Sequence, residues 1–388
     1  MQQAAEAIMT FEINAGLSVH RQDAAQLTVK VPNNADSRHD DEMNGHIRIV
    51  DPLQYQEWND MVCSLPGYSF FHSANWAMVL HKSYGYSLRY FAIMNDEKLY
   101  ALIPLMEVSS FLTGRRGVSL PFTDYCEPIA ASGIPVQDVV AAIIEYGMNA
   151  GWRHVDFRGQ GCLAEDAPCF KQYYRNVIPL SAYPDKVAAS FRDSTRRNIR
   201  KALQAGVSVE VFDTWEALEK FQHLNCMTRK THGLPPQPAV FFKNIYQYIL
   251  AERLGNVVIA SYKGKAVATA VFFHLGRKAI YKFCAWDRHY QSLRANNLVL
   301  WKAIEWYCAK GCTTLCLGRT DLDAPGLCQY KAGWAPEQKL IRYYRLDLQK
   351  GCFVVGNGAK YSQLYGLISL LPAPALKVIG TLFYQHMG

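Results

Sequence analysis

The sequence predicts an α+β protein in which one small domain occurs twice. A pattern of strand, tight turn and strand appears at residues 90–108 and again at residues 257–275. Each of these hairpins is followed by a helix that ends at a glycine, Gly151 or Gly311, and then by a short strand. Because several elements recur in one order, we interpret the chain as two copies of one fold, each long enough for a small domain.

The length of 388 residues is typical of two domains rather than one. We predict that the first domain spans residues 46–178 and the second spans residues 179–347. Residues 1–45 lack the basic start and the apolar core of a secretory signal, and we expect them to be a mobile polar tail. Residues 348–388 are predicted to form an apolar helical tail.

Alternation and apolar periodicity predict the elements that open each copy. In chain order they are a strand at 46–50, helices near 53–64 and 73–83, a strand around 176–180, a long helix near 184–204, a strand at 207–211 and a helix near 214–230. The long helix carries an apolar stripe formed by Val187, Phe191, Ile199 and Leu203, which we expect to be buried.

Charge and cysteine content limit the class of protein. The formal net charge is +8, which suits an anionic ligand but is too diffuse for a dedicated nucleic-acid binder. Eleven cysteines occur without a CxxC pair, which indicates a reducing, cytoplasmic compartment. Cys308, Cys312 and Cys316 run from a helix into a strand, so we predict no metal site there.

Four segments together resemble FemAB-like proteins, including the exopolysaccharide-associated and sorting-associated (BioF2-like) branch. They are LPFTDYCEPIA (120–130), FRDSTRRNIRKALQAGVSVEV (191–211), TRKTHGLPPQPAVFF (228–242) and LGRTDLDAPGLCQYKAGWAP (317–336). The resemblance implies two GNAT-like domains in tandem. It also implies transfer of an acyl or aminoacyl group to an amine on a cell-envelope or polysaccharide precursor, with no tightly bound cofactor and with acyl-CoA or aminoacyl-tRNA as co-substrate.

Three functions therefore remain open: an N-acyltransferase, a tRNA-dependent aminoacyltransferase, and a non-catalytic binding subunit with the same fold. GNAT domains that bind coenzyme A carry a glycine-rich loop between a strand and the next helix. The corresponding residues, 287–297, contain no glycine. Backbone N–H groups at the start of that helix could still contact an anion.

Asp124 and Tyr125 follow a strand in a loop bounded by prolines, where α/β domains place ligand contacts. Asp124 would accept a proton from the attacking amine or hold the ammonium; the alternative is a turn residue. His232 and Lys230 precede Gly233 at a predicted helix end. His232 could act as a base, and its alternative role is structural.

Lys331 lies in the element that resembles the family's "FK…G" motif, with Tyr330 in the aromatic position. Lys331 would stabilise the carbonyl oxygen or the leaving group; the alternative is a surface lysine that covers Trp334. Arg319 and Asp321 follow the preceding strand and are further substrate-binding candidates.

Arg196, Arg197 and Arg200 lie on one face of the predicted helix at 184–204. They would bind the phosphates of the donor, or they form an ordinary solvated face.

Residues 364–383 are strongly apolar but contain two prolines and a lysine, so we predict no membrane-spanning helix. They would pack as short helices on the body of the protein, or they would contact the inner face of the membrane peripherally.

Overall fold

The computed structural model describes residues 46–95, 98–161, 163, 167–356 and 371–387. The predicted polar tail and the first part of the apolar tail lie outside these residues. The described chain divides into two compact units. The first contains the residues up to Gln172, those from Ile341 to 356, and those after Gln385; the second contains the remainder.

Both units contain strands and helices. The strands are β1 (His46–Val50), β2 (Ser87–Asn95), β3 (Lys98–Ser110), β4 (Gly114–Val118), β5 (Ile129–Ala130), β6 (His154–Arg158), β7 (Lys171–Pro179), β8 (Ser208–Phe212), β9 (Gly255–Tyr262), β10 (Lys265–Leu275), β11 (Lys278–Trp286), β12 (Thr314–Asp321), β13 (Glu337–Asp347) and β14 (Cys352–Phe353). The helices are α1 (Trp58–Cys63), α2 (Ala74–Tyr84), α3 (Gln137–Asn149), α4 (Pro184–Ala189), α5 (Asp193–Gln204), α6 (Trp215–Thr231), α7 (Ala239–Ile245), α8 (Ala295–Ala309), α9 (Pro325–Ala332) and α10 (Ala373–Phe383).

The first unit contains a sheet in the order β1-β2-β3-β4-β6-β13. All neighbouring strands are antiparallel except β4 and β6, which are parallel. Helix α3 packs on this sheet and buries Ile143 against the core that contains Ile103 and Trp152. Gly117 is required in β4 because a Cβ there would lie 2.1 Å from the Trp152 ring.

The second unit repeats this arrangement with the order β7-β12-β11-β10-β9-β8. Here β11 and β12 are the parallel pair, and the other neighbours are antiparallel. Helix α8 buries one face against the sheet, where Ile304 and Tyr307 join a core with Phe272. Helix α6 packs on β11 through Phe221, which contacts Phe283.

The sixth strand of each sheet comes from the other sequence copy. β7 follows β6 in the chain but belongs to the second sheet, and β13 follows β12 but pairs with β6 through Tyr343–Asp347. The two compact units therefore do not have the same boundaries as the two sequence copies, which span residues 46–178 and 179–347. The expected α+β architecture, with a mostly antiparallel sheet and the same strand order in each unit, is confirmed.

The local signals for turns and helix ends are confirmed as well. Lys263 and Gly264 both have positive φ, as a tight two-residue hairpin turn requires. Gly151 and Gly311 adopt left-handed conformations just after α3 and α8, which is the usual way to end a helix. The turn of the first hairpin lies at residues 96–97, outside the described residues.

The single helix predicted at 184–204 is wrong. Two helices, α4 and α5, occupy this range, because Arg192 is extended and Phe191 turns inward against Trp334. Leu203 of the predicted apolar stripe is exposed, and Ile199 is buried as expected. The break depends on a contact with a residue far along the chain, so the local pattern could not reveal it.

Helix α10 and Tyr384, near the end of the described chain, pack on the second unit. Leu376 of α10 is buried, and Tyr384 donates a hydrogen bond to the Pro235 carbonyl at 3.2 Å. Gly380 lies so close to Pro236 that a Cβ would be 2.1 Å from its carbonyl oxygen. Within the described residues, no helix is both long and apolar enough to cross a bilayer.

Candidate active site

The two parallel strands of the second unit pair over only a short length. Residues 278–280 of β11 are in register with residues 314–316 of β12. β11 then continues to Trp286 and β12 to Asp321, with no further β11–β12 pairing among the described residues. We call the region between residues 281–286 and 317–321 the wedge. Strands that part in this way leave backbone groups available to an extended ligand.

A β-bulge in β11 determines which side chains face the wedge. Phe272 of β10 pairs with Tyr281, whereas its neighbour Val271 pairs with Phe283, so Lys282 is the extra residue. Because of this extra residue, Tyr281 and Cys284 lie on the same face of the strand. That face is the one that carries α8 and its core.

A second irregularity lies opposite, in β12. The pairing with β7 shifts between Cys316 and Arg319, and Gly318 there has φ of +69°. Lys331 of α9 donates hydrogen bonds to the carbonyls of Gly318 at 3.3 Å and Arg319 at 3.0 Å. Lys331 is only 5% exposed, so the alternative of a surface lysine is wrong.

Four polar side chains meet at this point: Tyr281, Cys284, Tyr330 and Lys331. Burial raises the pKa of the Cys284 thiol, although a hydrogen bond from Tyr281 and the Lys331 ammonium act in the opposite direction. Burial also raises the pKa of both Tyr281 and Tyr330, with the nearby Cys284 adding to the effect. Both phenols are therefore protonated at neutral pH and can donate hydrogen bonds.

The predicted basic face of α5 is only partly available to a ligand. Arg196 donates a hydrogen bond to the Ala189 carbonyl at the end of α4 and forms an ion pair with Asp193. Its guanidinium therefore holds α4 and α5 together. Arg197 and Arg200 are exposed and remain candidates for phosphate contact.

The remaining candidates of the second unit lie at the surface. The Arg319 guanidinium lies 4.6 Å from the centre of the Tyr173 ring, and Asp321 is exposed at the end of β12. His232 and Lys230 are exposed at the end of α6. The His232 amide caps this helix by donating to carbonyls of its last turn.

In the first unit, the chain itself occupies the place that corresponds to the wedge. After β4, Ser119 donates its amide to the Asp156 carbonyl at 2.8 Å, and Cys126 donates to the Arg158 carbonyl at 2.6 Å. We call residues 120–126, which follow the first of these bonds and end at the second, the plug. Its Leu120 side chain is fully buried, so the parallel strands of this unit are closed by protein.

Asp124 and Tyr125 belong to the plug. Tyr125 is buried edge-to-face against Phe71. The Asp124 carbonyl accepts a 2.6 Å hydrogen bond from the Tyr343 hydroxyl, and its side chain is half-buried. The backbone of this loop is therefore anchored by β13 of the same unit.

Comparison with known proteins shows what most of the second unit is similar to. Residues 189–332 match the family described as an Acetyltransferase (GNAT) domain. We refer to these residues, on the basis of that similarity, as the GNAT domain.

The whole chain also resembles solved structures. It matches the crystal structure of FemX with a TM-score of 0.57 and 14% identity, over 76% of this chain and 96% of that chain. A conserved protein of unknown function from Bacteroides thetaiotaomicron matches with a TM-score of 0.50 and 10% identity, over 77% and 98% of the two chains. No curated protein matches the chain. The resemblance to FemAB-like proteins is therefore confirmed at the level of the fold.

The loop of the GNAT domain that follows β11 is built around Asp287 rather than glycine. Asp287 is buried and accepts hydrogen bonds from Lys265 at 2.9 Å and from the ring and amide of His289 at 2.7 and 3.1 Å. Burial would raise its pKa, but these hydrogen bonds outweigh burial and lower the pKa to about 2. The carboxylate thus holds the loop in one conformation at neutral pH.

The helix that follows this loop offers an anion site without glycine. Arg294 adopts φ of +59° directly before α8, a conformation that normally favours glycine. No side chain caps the first turn of α8. Its N–H groups and the exposed Arg294 side chain can therefore contact a phosphate.

Sequence reasoning missed Tyr281 and Cys284. The pattern of β11 shows no polar motif, and the bulge that brings the two side chains together depends on the pairing with β10. The three cysteines considered for a metal, Cys308, Cys312 and Cys316, are all buried. Within the described residues, no cluster of His, Cys, Asp or Glu could hold a metal ion.

Proposed function

We propose that the GNAT domain of this protein transfers an acyl group from acyl-CoA to an amine. The observation that carries the proposal is the wedge, where two parallel strands part beside the buried Lys331 and the partly buried Cys284. The first unit has the same strand order, but its corresponding position contains the plug. The second unit is therefore our candidate for catalysis.

The shape of the wedge suits the arm of coenzyme A, which is extended and contains two amide groups. Such an arm can add to β11 along the wedge as an extra strand would, with its amides pairing to residues 281–285. The wedge ends at Trp286, whose N–H and carbonyl are both bonded to the Thr228 hydroxyl. The diphosphate would then reach the start of α8, where uncapped N–H groups and Arg294 favour an anion. No glycine is needed, because Arg294 itself takes the left-handed conformation.

The reaction needs three things from the protein: a hydrogen-bond donor near the carbonyl oxygen, a donor near the sulfur, and a neutral amine. The amine nitrogen attacks the thioester carbon, the new C–N bond forms as the C–S bond breaks, and one proton passes from nitrogen to sulfur in the overall reaction. Negative charge develops first on the carbonyl oxygen and then on the sulfur, so donors near these atoms lower the barrier. The protein must also hold the amine in its neutral form.

The side chains around the wedge can serve these needs. We assign Lys331 to stabilise the charge that develops at the oxygen or sulfur, because its ammonium is held by two backbone carbonyls. We assign Tyr330 to donate a hydrogen bond to the leaving sulfur; in this structure its hydroxyl donates to the Asn296 carbonyl at 3.4 Å. Arg197 and Arg200 would contact the donor phosphates. Asp124, Tyr125, His232, Lys230, Arg319 and Asp321 stay predicted contributors to amine and substrate binding.

For the acceptor, we propose an amine on a cell-envelope or polysaccharide precursor, as the FemAB-like resemblance implies. The basic surface of the chain, with a net charge of +8, agrees with an anionic donor or acceptor. Aminoacyl-tRNA remains the alternative donor and differs in one measurable way. Its binding would weaken steeply with salt, because many phosphates would be contacted at once.

Calorimetric titration with acetyl-CoA and longer acyl-CoA thioesters tests the donor. We expect binding to the full-length protein and a loss of about tenfold or more for Arg294→Glu, because a charge-assisted phosphate contact is removed. Arg277→Glu is the matched control, since Arg277 precedes β11 at the end away from the wedge. Absence of binding by every thioester, together with salt-sensitive binding of aminoacyl-tRNA, would replace acyl-CoA by tRNA as donor.

A further inference from the structure

The turn between β3 and β4 in the first unit presents two adjacent apolar side chains to solvent. Phe111 is 86% exposed, the largest value among the large apolar residues that the structure describes, and Leu112 is 51% exposed. Exposed apolar residues occur singly on many proteins, but an aromatic and a leucine side by side at the end of a hairpin are less common. We call Phe111 and Leu112 the tip.

The backbone of the tip is held in place. The Ser110 hydroxyl accepts hydrogen bonds from the amides of Leu112 and Thr113, both at 3.1 Å. Arg116 donates to the Thr113 hydroxyl from the adjacent strand. The two apolar side chains are therefore presented by a defined turn, which lowers the entropy cost of placing them in an apolar phase.

The last described residues extend the same surface. The His386 ring lies edge-to-face on Phe111 with centroids 4.7 Å apart, and its carbonyl accepts a 2.9 Å hydrogen bond from Arg116. Met387, which follows, is exposed.

Two arginine side chains lie near the tip. The Arg115 side chain is half exposed and forms an ion pair with Glu107, which is largely buried and also accepts a hydrogen bond from the Trp152 ring N–H. Arg153 is exposed and packs over Gly114. A Cβ at Gly114 would lie 2.5 Å from the Arg153 Nε. Two guanidinium groups therefore lie at the base of a protruding apolar turn.

We propose that the tip inserts into the surface of an anionic lipid bilayer, with Arg115 and Arg153 contacting headgroups. Apolar side chains with arginines behind them match the order of layers in a membrane, acyl chains first and charged headgroups next. A stable protein partner would instead need a broad surface, typically about 800 Å² on each side, which two protruding side chains do not provide. The proposal is independent of the acyl-transfer reaction.

Co-sedimentation of the full-length protein with vesicles tests this. We expect binding to vesicles of phosphatidylcholine with phosphatidylglycerol, weak binding to phosphatidylcholine alone, and loss of binding as salt is raised. Phe111→Ser combined with Leu112→Ser should weaken binding about tenfold or more, because the buried apolar area is removed. Arg153→Gln should weaken it about fivefold.

Two controls separate the tip from other surfaces. Leu203→Ser, at an exposed leucine of α5, should bind vesicles like the wild type. Val378→Ser with Leu382→Ser changes the exposed face of α10, within the tail for which membrane contact was predicted, and should also bind normally. The proposal is overturned if the wild type does not bind anionic vesicles. It is also overturned if the tip variant binds as tightly as the wild type, or if only the α10 variant loses binding.

Discussion

Replacing Lys331 with Met tests the candidate active site most directly. Methionine keeps an unbranched stem of similar length in the same buried space and removes the ammonium. The wild-type ammonium donates two hydrogen bonds, at 3.0 and 3.3 Å, to the carbonyls of Gly318 and Arg319. Charged hydrogen bonds of this kind contribute about 1.5–3 kcal/mol each, but a buried charge also costs several kcal/mol in desolvation.

These effects on stability largely offset one another. We therefore expect the free energy of unfolding of Lys331→Met to differ from the wild type by less than about 2 kcal/mol. Catalysis has no such compensation, because the ammonium would act on charge that exists only in the transition state. Loss of one such donor typically lowers kcat by about 100-fold.

The assay follows release of the free coenzyme A thiol with an amine acceptor, alongside urea unfolding of the same samples. Lys302→Met is the matched control, since Lys302 lies on the outer face of α8 in an ion pair with Glu305. It should leave kcat unchanged. A kcat of Lys331→Met within about threefold of the wild-type kcat would refute the catalytic role. A protein that loses stability instead, with normal kcat per folded molecule, would make Lys331 purely structural.

Three further predictions concern stability and reactivity. Gly380→Ala should lower the free energy of unfolding by about 1–3 kcal/mol, measured with urea, because the new Cβ would meet the Pro236 carbonyl. Gly326→Ala is the control and should not destabilise the protein, because its Cβ would meet nothing within 4 Å. Asp287→Asn should lower stability by about 1–2 kcal/mol at pH 7. The folded pKa of Asp287 lies near 2, below the unfolded value of about 3.9, so the difference from the wild type should shrink as pH falls from about 4 and be lost below pH 2. A difference at pH 2 as large as that at pH 7 would contradict this. Cys284 should react with iodoacetamide at pH 8 more slowly than exposed Cys352, because burial raises the pKa of the Cys284 thiol. Peptide mass spectrometry measures both rates, and equal rates would show that the Cys284 thiol is open to solvent.

Local sequence determined much of the fold. The paired hairpins were predicted from alternation, and the helix ends at Gly151 and Gly311 from the left-handed conformation that glycine adopts at low cost. The turn at Lys263 and Gly264 followed from the same property. These features depend on neighbouring residues and on the period of the backbone, so they can be read along the chain without knowing what packs against it.

Only part of the candidate site could be predicted from the local sequence. Lys331 and Tyr330 were predicted from their motif, and the structure places them together with Cys284. Tyr281 and Cys284 were missed, because one extra residue in β11, Lys282, decides which way each side chain points. A bulge is defined only by the partner strand.

Tertiary structure alone decided the rest. The plug closes the first unit because Cys126 pairs with Arg158, and the wedge of the second unit has no such pairing among the described residues. The exchange of β7 and β13 between the two sheets, and the break before α5, likewise depend on partners more than a hundred residues away in the chain. Periodicity reports which face of an element is apolar, but which distant element covers that face is settled by packing.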